Sequence, residues 1–205
     1  MRALVHLLPR TRWRRHAAAA ATGALAALVS LSGADKPAAP AAPTLEQFFP
    51  VAATRGSTTP VTAVGKFNPW PPEVWTDAPG VVFRPGGKAG QFTVEVGPDV
   101  APGPHLVRLY NRQGASAARF LVVTPAPLTL EAEPNDDFAR AATIAAMPVT
   151  IEGRLQKTGD VDCYALALAA GQTVAATLDA HVLASPLDPV LRLVDDRGLE
   201  VALNH

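Results

Sequence analysis

The sequence predicts an all-β chain built as two consecutive sandwich units, and three observations predict it. Short runs rich in Val, Phe, Tyr and Thr recur, as at 61–64, 81–83, 91–96, 106–110 and 119–123. In the run at 91–96 apolar and polar residues alternate: Phe92, Val94 and Val96 interleave with Thr93 and Glu95, the period of a half-buried strand. Turn formers separate the runs, including Pro85-Gly86-Gly87, Ala101-Pro102-Gly103-Pro104 and Gln113-Gly114, and no convincing helical period follows the first 34 residues. Several short strands at this spacing argue for a sandwich. A chain of 205 residues holds one or two domains, each able to bury a core.

Taken in order, residues 1–34 read as an export signal. Arg10, Arg12, Arg14 and Arg15 form a basic region, residues 17–31 are apolar, and Ser32-Gly33-Ala34 supplies small residues for cleavage after Ala34. The apolar run is shorter than the roughly 20 residues that span a bilayer, so a permanent anchor is the lesser alternative. Arg14-Arg15 offers a twin-arginine signal, but its surroundings fit plain secretion better. The destination is the exterior, the periplasm or the cell envelope, with no membrane span after cleavage. No Cys stands near the cleavage position, so a lipid anchor through cysteine has no support.

Residues 35–43, with Lys36-Pro37-Ala38-Ala39-Pro40-Ala41-Ala42-Pro43, form an extended spacer without core-forming residues. The first unit covers 44–124. Its markers are Phe49-Pro50, then Thr54-Arg55-Gly56 leading into Val61-Thr62-Ala63-Val64-Gly65. Pro102-Gly103 precedes the strand at 105–110, and Gly114-Ala115-Ser116 precedes the last strand. In these markers the unit resembles an immunoglobulin-like domain of the TIG type, which implies a spacer or interaction module. Phe67-Asn68-Pro69-Trp70-Pro71-Pro72-Glu73-Val74-Trp75 departs from that rhythm. Two Trp beside three Pro suit an exposed platform for a sugar or a peptide. The preferred reading is that Trp70 and Trp75 plug the end of the sandwich, because aromatic side chains bury large areas.

Residues 125–129 are a second linker, and 130–205 a second unit with strands expected at 149–153, 163–169, 173–179, 190–194 and 200–203. A short helical turn or small bulge is expected at 139–146, and Gly171 suits a turn between strands. Cys163, the single cysteine, has no internal disulfide partner and is expected to be buried as a small apolar residue. Without disulfides, a metal ion would be a useful alternative staple for an exported chain.

The sharpest chemistry lies in Glu131-Ala132-Glu133-Pro134-Asn135-Asp136-Asp137 and in Asp160-Val161-Asp162. On extended strands Glu131, Glu133 and Asn135 would share one face, and Asp160 and Asp162 another. If those faces meet, the carboxylates repel unless a cation lies between them, and Ca²⁺ takes six to eight hard oxygen donors. The competing reading is a solvated acidic loop with Asn-Asp turns. An EF-hand is excluded, since a loop begun at Asp160 lacks the central Gly and carries Gly171 at its last ligand position.

Several motifs then follow in order. They are Glu133-Pro134-Asn135-Asp136, Ile151-Glu152-Gly153, Gly159-Asp160-Val161-Asp162, Ala170-Gly171-Gln172-Thr173, Ser185-Pro186-Leu187-Asp188-Pro189 and Asp195-Asp196-Arg197-Gly198. This half is similar to the bacterial pre-peptidase C-terminal domain, a jelly-roll-like β-sandwich appended to exported peptidases and other exported proteins. The resemblance implies a Ca²⁺ site at Glu131, Glu133, Asn135, Asp136, Asp160 and Asp162, for one ion or two, with Asp188 organising its loop through backbone amides. That family continues past the position of His205 with further acidic residues and a closing pair of strands, so the second unit is read as truncated and the chain as a fragment.

Formal charge is zero because its parts cancel. The first 34 residues hold five Arg and no acid; 35–125 is +2 with eight basic and six acidic residues; 126–205 is −7 with five and twelve. An acidic half of this kind lacks the basic footprint that nucleic acid needs. Enzyme signatures are also wanting. Gly114-Ala115-Ser116-Ala117-Ala118 joins two strands and lacks the final Gly of a nucleophile elbow, His105 and His181 are isolated, and no zinc signature occurs. The chain therefore reads as an exported, non-catalytic binding or accessory module, calcium-stabilised, serving an extracellular polymer, an envelope protein or a secreted peptidase. The alternative is the N-terminal, non-catalytic part of a larger secreted enzyme.

Overall fold

The computed structural model describes residues 2–9, 39–157 and 159–204. In chain order the strands are β1 (Arg2–Pro9), β2 (Thr44–Phe49), β3 (Ala52–Thr54), β4 (Thr58–Lys66), β5 (Glu73–Thr76), β6 (Val81–Pro85), β7 (Gln91–Val96) and β8 (Gly103–Asn111). There follow β9 (Gly114–Ala115), β10 (Arg119–Thr124), β11 (Leu128–Leu130), β12 (Ala142–Thr143), β13 (Thr150–Glu152), β14 (Asp162–Ala167), β15 (Pro189–Val194) and β16 (Glu200–Asn204). The only helical element among the described residues is a 3₁₀ turn, His181–Leu183. The fold is all-β, as the short β-type runs between turns predict, and no helix of the described residues is long and apolar enough to cross a membrane.

Two sheets face each other in the first half. One runs β2-β4-β7-β6; the other runs β3-β10-β8-β5, with β9 paired to β8. Alternation decides which side chains meet between them. Val61 and Ala63 of β4 and Phe92, Val94 and Val96 of β7 point inward from one sheet, against Val107, Leu109, Leu121 and Val123 of the other. Phe83 packs edge-on to Phe92 with centroids 5.7 Å apart, and Trp70 lies 5.1 Å from the same ring. Gly90 closes the turn before β7 at φ +84°, where a Cβ would stand 2.7 Å from the Ala63 carbonyl oxygen.

The two tryptophans part company. Trp70 packs against the core and donates Nε1–H to the Gly86 carbonyl at 3.2 Å, as the plugging reading expects. Trp75, on β5, is 47% exposed and plugs nothing. It pairs with Arg108 on the outward face, whereas its neighbour Val74 faces the core. Strands β2, β3 and β5 do not stand out in the sequence. A register shift between Leu45 and Gln47 breaks the alternation of β2, β3 has three residues, and β5 follows directly on prolines.

The second half carries a five-stranded sheet, β12-β14-β1-β15-β16, and a parallel pair, β11 and β13. Cys163, Tyr164 and Leu166 of β14 and Val194 of β15 are buried. Burial raises the Cys163 thiol to about 11, so it is the inert thiol its surroundings predict. β1 pairs antiparallel with both β14 and β15, from Leu7 opposite Asp162 and from Leu4 opposite Val194. Ala3-Leu4-Val5-His6-Leu7-Leu8 reads equally as the start of a leader and as a central strand, since a short apolar run does not separate the two. The four arginines at 10–15, the apolar run at 17–31 and the cleavage position lie outside the described residues.

Two expectations for this half are corrected. Residues 173–179 form no strand: Val174 and Leu178 are half-buried, but the segment pairs with no strand among the described residues. A period-2 pattern without a partner leaves backbone groups to water, so the chain stays irregular there. Residues 139–146 hold no helical turn; two of them form β12, parallel to β14.

Candidate metal centre

Strand β11 ends at Leu130, so the acidic run lies on a loop and not on the strand face that simple alternation gives it. Asp162 opens β14, and Asp160 belongs to the loop before it. The loop folds back so that the two segments meet. The backbone N–H of Cys163 donates to the Asn135 carbonyl at 3.0 Å, which fixes the middle of the acidic run against the start of β14.

All six predicted residues are brought together. One set, Glu131, Glu133 and Asp162, and another, Glu133, Asp136 and Asp160, each place three carboxylate oxygens within 4.8 Å of one another. Glu133 is common to both. Asn135 sits between them: its side-chain amide donates to Glu131 Oε1 at 3.2 Å, and its backbone N–H donates to Glu133 Oε2 at 2.9 Å.

Burial makes the cluster unusual for acidic residues. Asn135 and Asp160 are fully buried, and Asp162 is 2% exposed. Asn135 Oδ1, Asp160 Oδ1 and Asp162 Oδ1 are shut off from solvent and have no hydrogen-bond partner among the described residues. Buried oxygens of this kind are costly to leave unpaired, and charged ones more so. The other Asp160 oxygen accepts the Gln156 backbone N–H.

The two sets differ in how their charge is balanced. Lys157 Nζ lies 2.9 Å from Asp136 and 3.7 Å from Asp160, and Arg140 lies 3.6 Å from Asp136. The hydrogen bond to Lys157 is the main reason the Asp136 carboxyl titrates below its usual range. Among the described residues no basic side chain pairs with Glu131, Glu133 or Asp162. Burial, and then Glu131 with Asp160 and Glu133, push Asp162 up to about 8. A cation among these carboxylates would favour the ionised form of Asp162.

Six oxygen-bearing residues, three buried oxygens without a hydrogen bond and an inner set with no basic partner among the described residues match the hard-donor chemistry of Ca²⁺. Gly153 completes the arrangement. A Cβ there would stand 2.5 Å from Glu131 Oε2, an oxygen that accepts the Arg154 backbone N–H at 2.7 Å. In the sequence Gly153 stands out only as part of a motif; close approach of a carboxylate to the main chain leaves no periodic signal.

Other nominated residues resolve into structural roles. Asp195 organises a loop by accepting the backbone N–H groups of Arg197 and Leu199, each at 2.9 Å. Ser116 Oγ is buried, accepting the Leu109 N–H at 3.1 Å and donating to the Ala117 carbonyl at 2.8 Å. His105 bridges the Ala101 carbonyl and Asp77, and His181 is exposed at the 3₁₀ turn. Comparison with known proteins finds no matching family model, curated relative or solved structure.

Proposed function

We propose that this chain is an exported, non-catalytic binding or accessory module whose second unit is stabilised by calcium at Glu131, Glu133, Asn135, Asp136, Asp160 and Asp162. The observation that carries the reading is the set of three buried oxygens, without a hydrogen-bond partner among the described residues, beside two carboxylate triads. Ca²⁺ bound there supplies the positive charge that the inner set lacks. Glu131 and Glu133 are oriented for it by Asn135, and Asp162 gives up its proton to become a ligand. The outer set, already partly neutralised by Lys157, is the weaker position for a second ion.

The exported character rests on the basic and apolar composition of residues 1–34, and the accessory role on the ordered motifs of the second half. The partner classes that fit are an extracellular polymer, an envelope protein or a secreted peptidase. Isothermal titration of the chain with calcium chloride tests the site. Saturable binding that Asp162→Asn weakens at least tenfold supports it; no heat of binding in a folded chain removes it.

A further inference from the structure

The cluster is wired to the first sandwich through one short segment, residues 152–154. Glu152 reaches out of β13 and its carboxylate accepts the backbone N–H groups of Val51, and of Ala52 at 2.9 Å, where the first sandwich passes from β2 to β3. Two residues on, the Arg154 guanidinium lies over the Phe49 ring, 3.3 Å from its centroid. The same segment holds Glu131 from the other side: the Glu131 backbone N–H donates to the Glu152 carbonyl at 2.9 Å, and Glu131 Oε2 accepts the Arg154 N–H. Gly153 between them permits the approach.

Further bonds close the same seam. Thr124 and Thr150 join their hydroxyls at 2.6 Å, and the Leu128 N–H donates to Thr54 Oγ1 at 3.1 Å. The two halves thus meet through directed hydrogen bonds, and the group nearest the acidic cluster is also the group that grips the first sandwich.

We infer that Glu152 and Arg154 are positioning residues that couple ion binding to the junction between the two halves. The inference rests on the calcium reading and deepens it. An ion that draws the Glu131 carboxylate into a fixed place also fixes residues 152–154, and with them the clamp on Val51 and Ala52. By linkage the clamp must raise calcium affinity by the factor by which calcium tightens the clamp. Calcium is then a ligand that sets the relation of the two halves, acting on amides that belong to neither the ion site nor its loop.

Hydrogen exchange on the full chain, with calcium chloride and with chelator, reads this without any substitution. The expected result is at least tenfold slower exchange of the Val51 and Ala52 amides with calcium, while Val94 in the first core is unchanged. In parallel, Glu152→Gln should lower calcium affinity three- to tenfold, although Glu152 is not a ligand. Calcium binding with unaltered exchange at Val51 and Ala52 overturns the coupling and leaves the ion site standing. No calcium binding by the wild-type chain overturns both.

Discussion

Asp162 is the residue on which the chemistry turns, because it is buried, faces other carboxylates and has no cationic partner among the described residues. Its carboxyl titrates near 8 in the folded chain against about 3.9 unfolded. Between those values the folded state holds the extra proton, so stability without ion is fullest below about pH 4 and falls as pH rises toward 8. Saturating calcium should abolish that fall, and binding at pH 7 should release about one proton, measurable by titration in buffers of different ionisation enthalpy. Asp162→Asn, which mimics the protonated form, should be at least as stable as wild type in chelator at pH 8 and gain little from calcium. Gly153→Ala drives a methyl against Glu131; overpacking of that kind costs about 1–3 kcal/mol. The change should weaken calcium binding by displacing that carboxylate, as titration would show.

The elements show what a sequence makes visible and what it hides. Strand β7 follows from alternation alone, since every second residue faces one packed core, and β10 from a short apolar run of β-type residues. The six acidic and amide residues were legible because residue type carries coordination chemistry, whatever the backbone does; their placement on a loop, not a strand face, was not. Residues 173–179 have the strand pattern but lack a neighbour to pair with, which only tertiary structure decides. The Glu152 clamp was invisible for a related reason, because it joins residues about a hundred positions apart through main-chain donors that any sequence supplies. Two element-scale predictions follow from β8 and the Ser116 hydroxyl that binds it. Ser116→Ala leaves the buried Leu109 N–H without its acceptor and should destabilise the chain by about 1–3 kcal/mol in denaturant unfolding. Leu109→Ala in the same strand, fully buried, should cost about 2–5 kcal/mol.

At the scale of the whole molecule, the two halves are stabilised by different means. The first buries a continuous apolar cluster between two sheets. Among the residues whose burial is described, the second buries fewer apolar side chains, sets Asn135, Asp160 and Asp162 in its interior, and leaves Val182, Leu199, Val201 and Leu203 exposed. A half built on buried acids depends on what neutralises them, and calcium is the proposed neutralising ion. Thermal unfolding of the chain with calcium and with chelator, alongside the double change Asp160→Asn and Asp162→Asn, puts that dependence to the test. An ion at 100 times its Kd adds about 2.7 kcal/mol, so calcium should raise the midpoint of the second half clearly, and the double variant should lose the rise. An identical midpoint in calcium and in chelator, for a wild-type chain shown to be folded, would contradict calcium stabilisation.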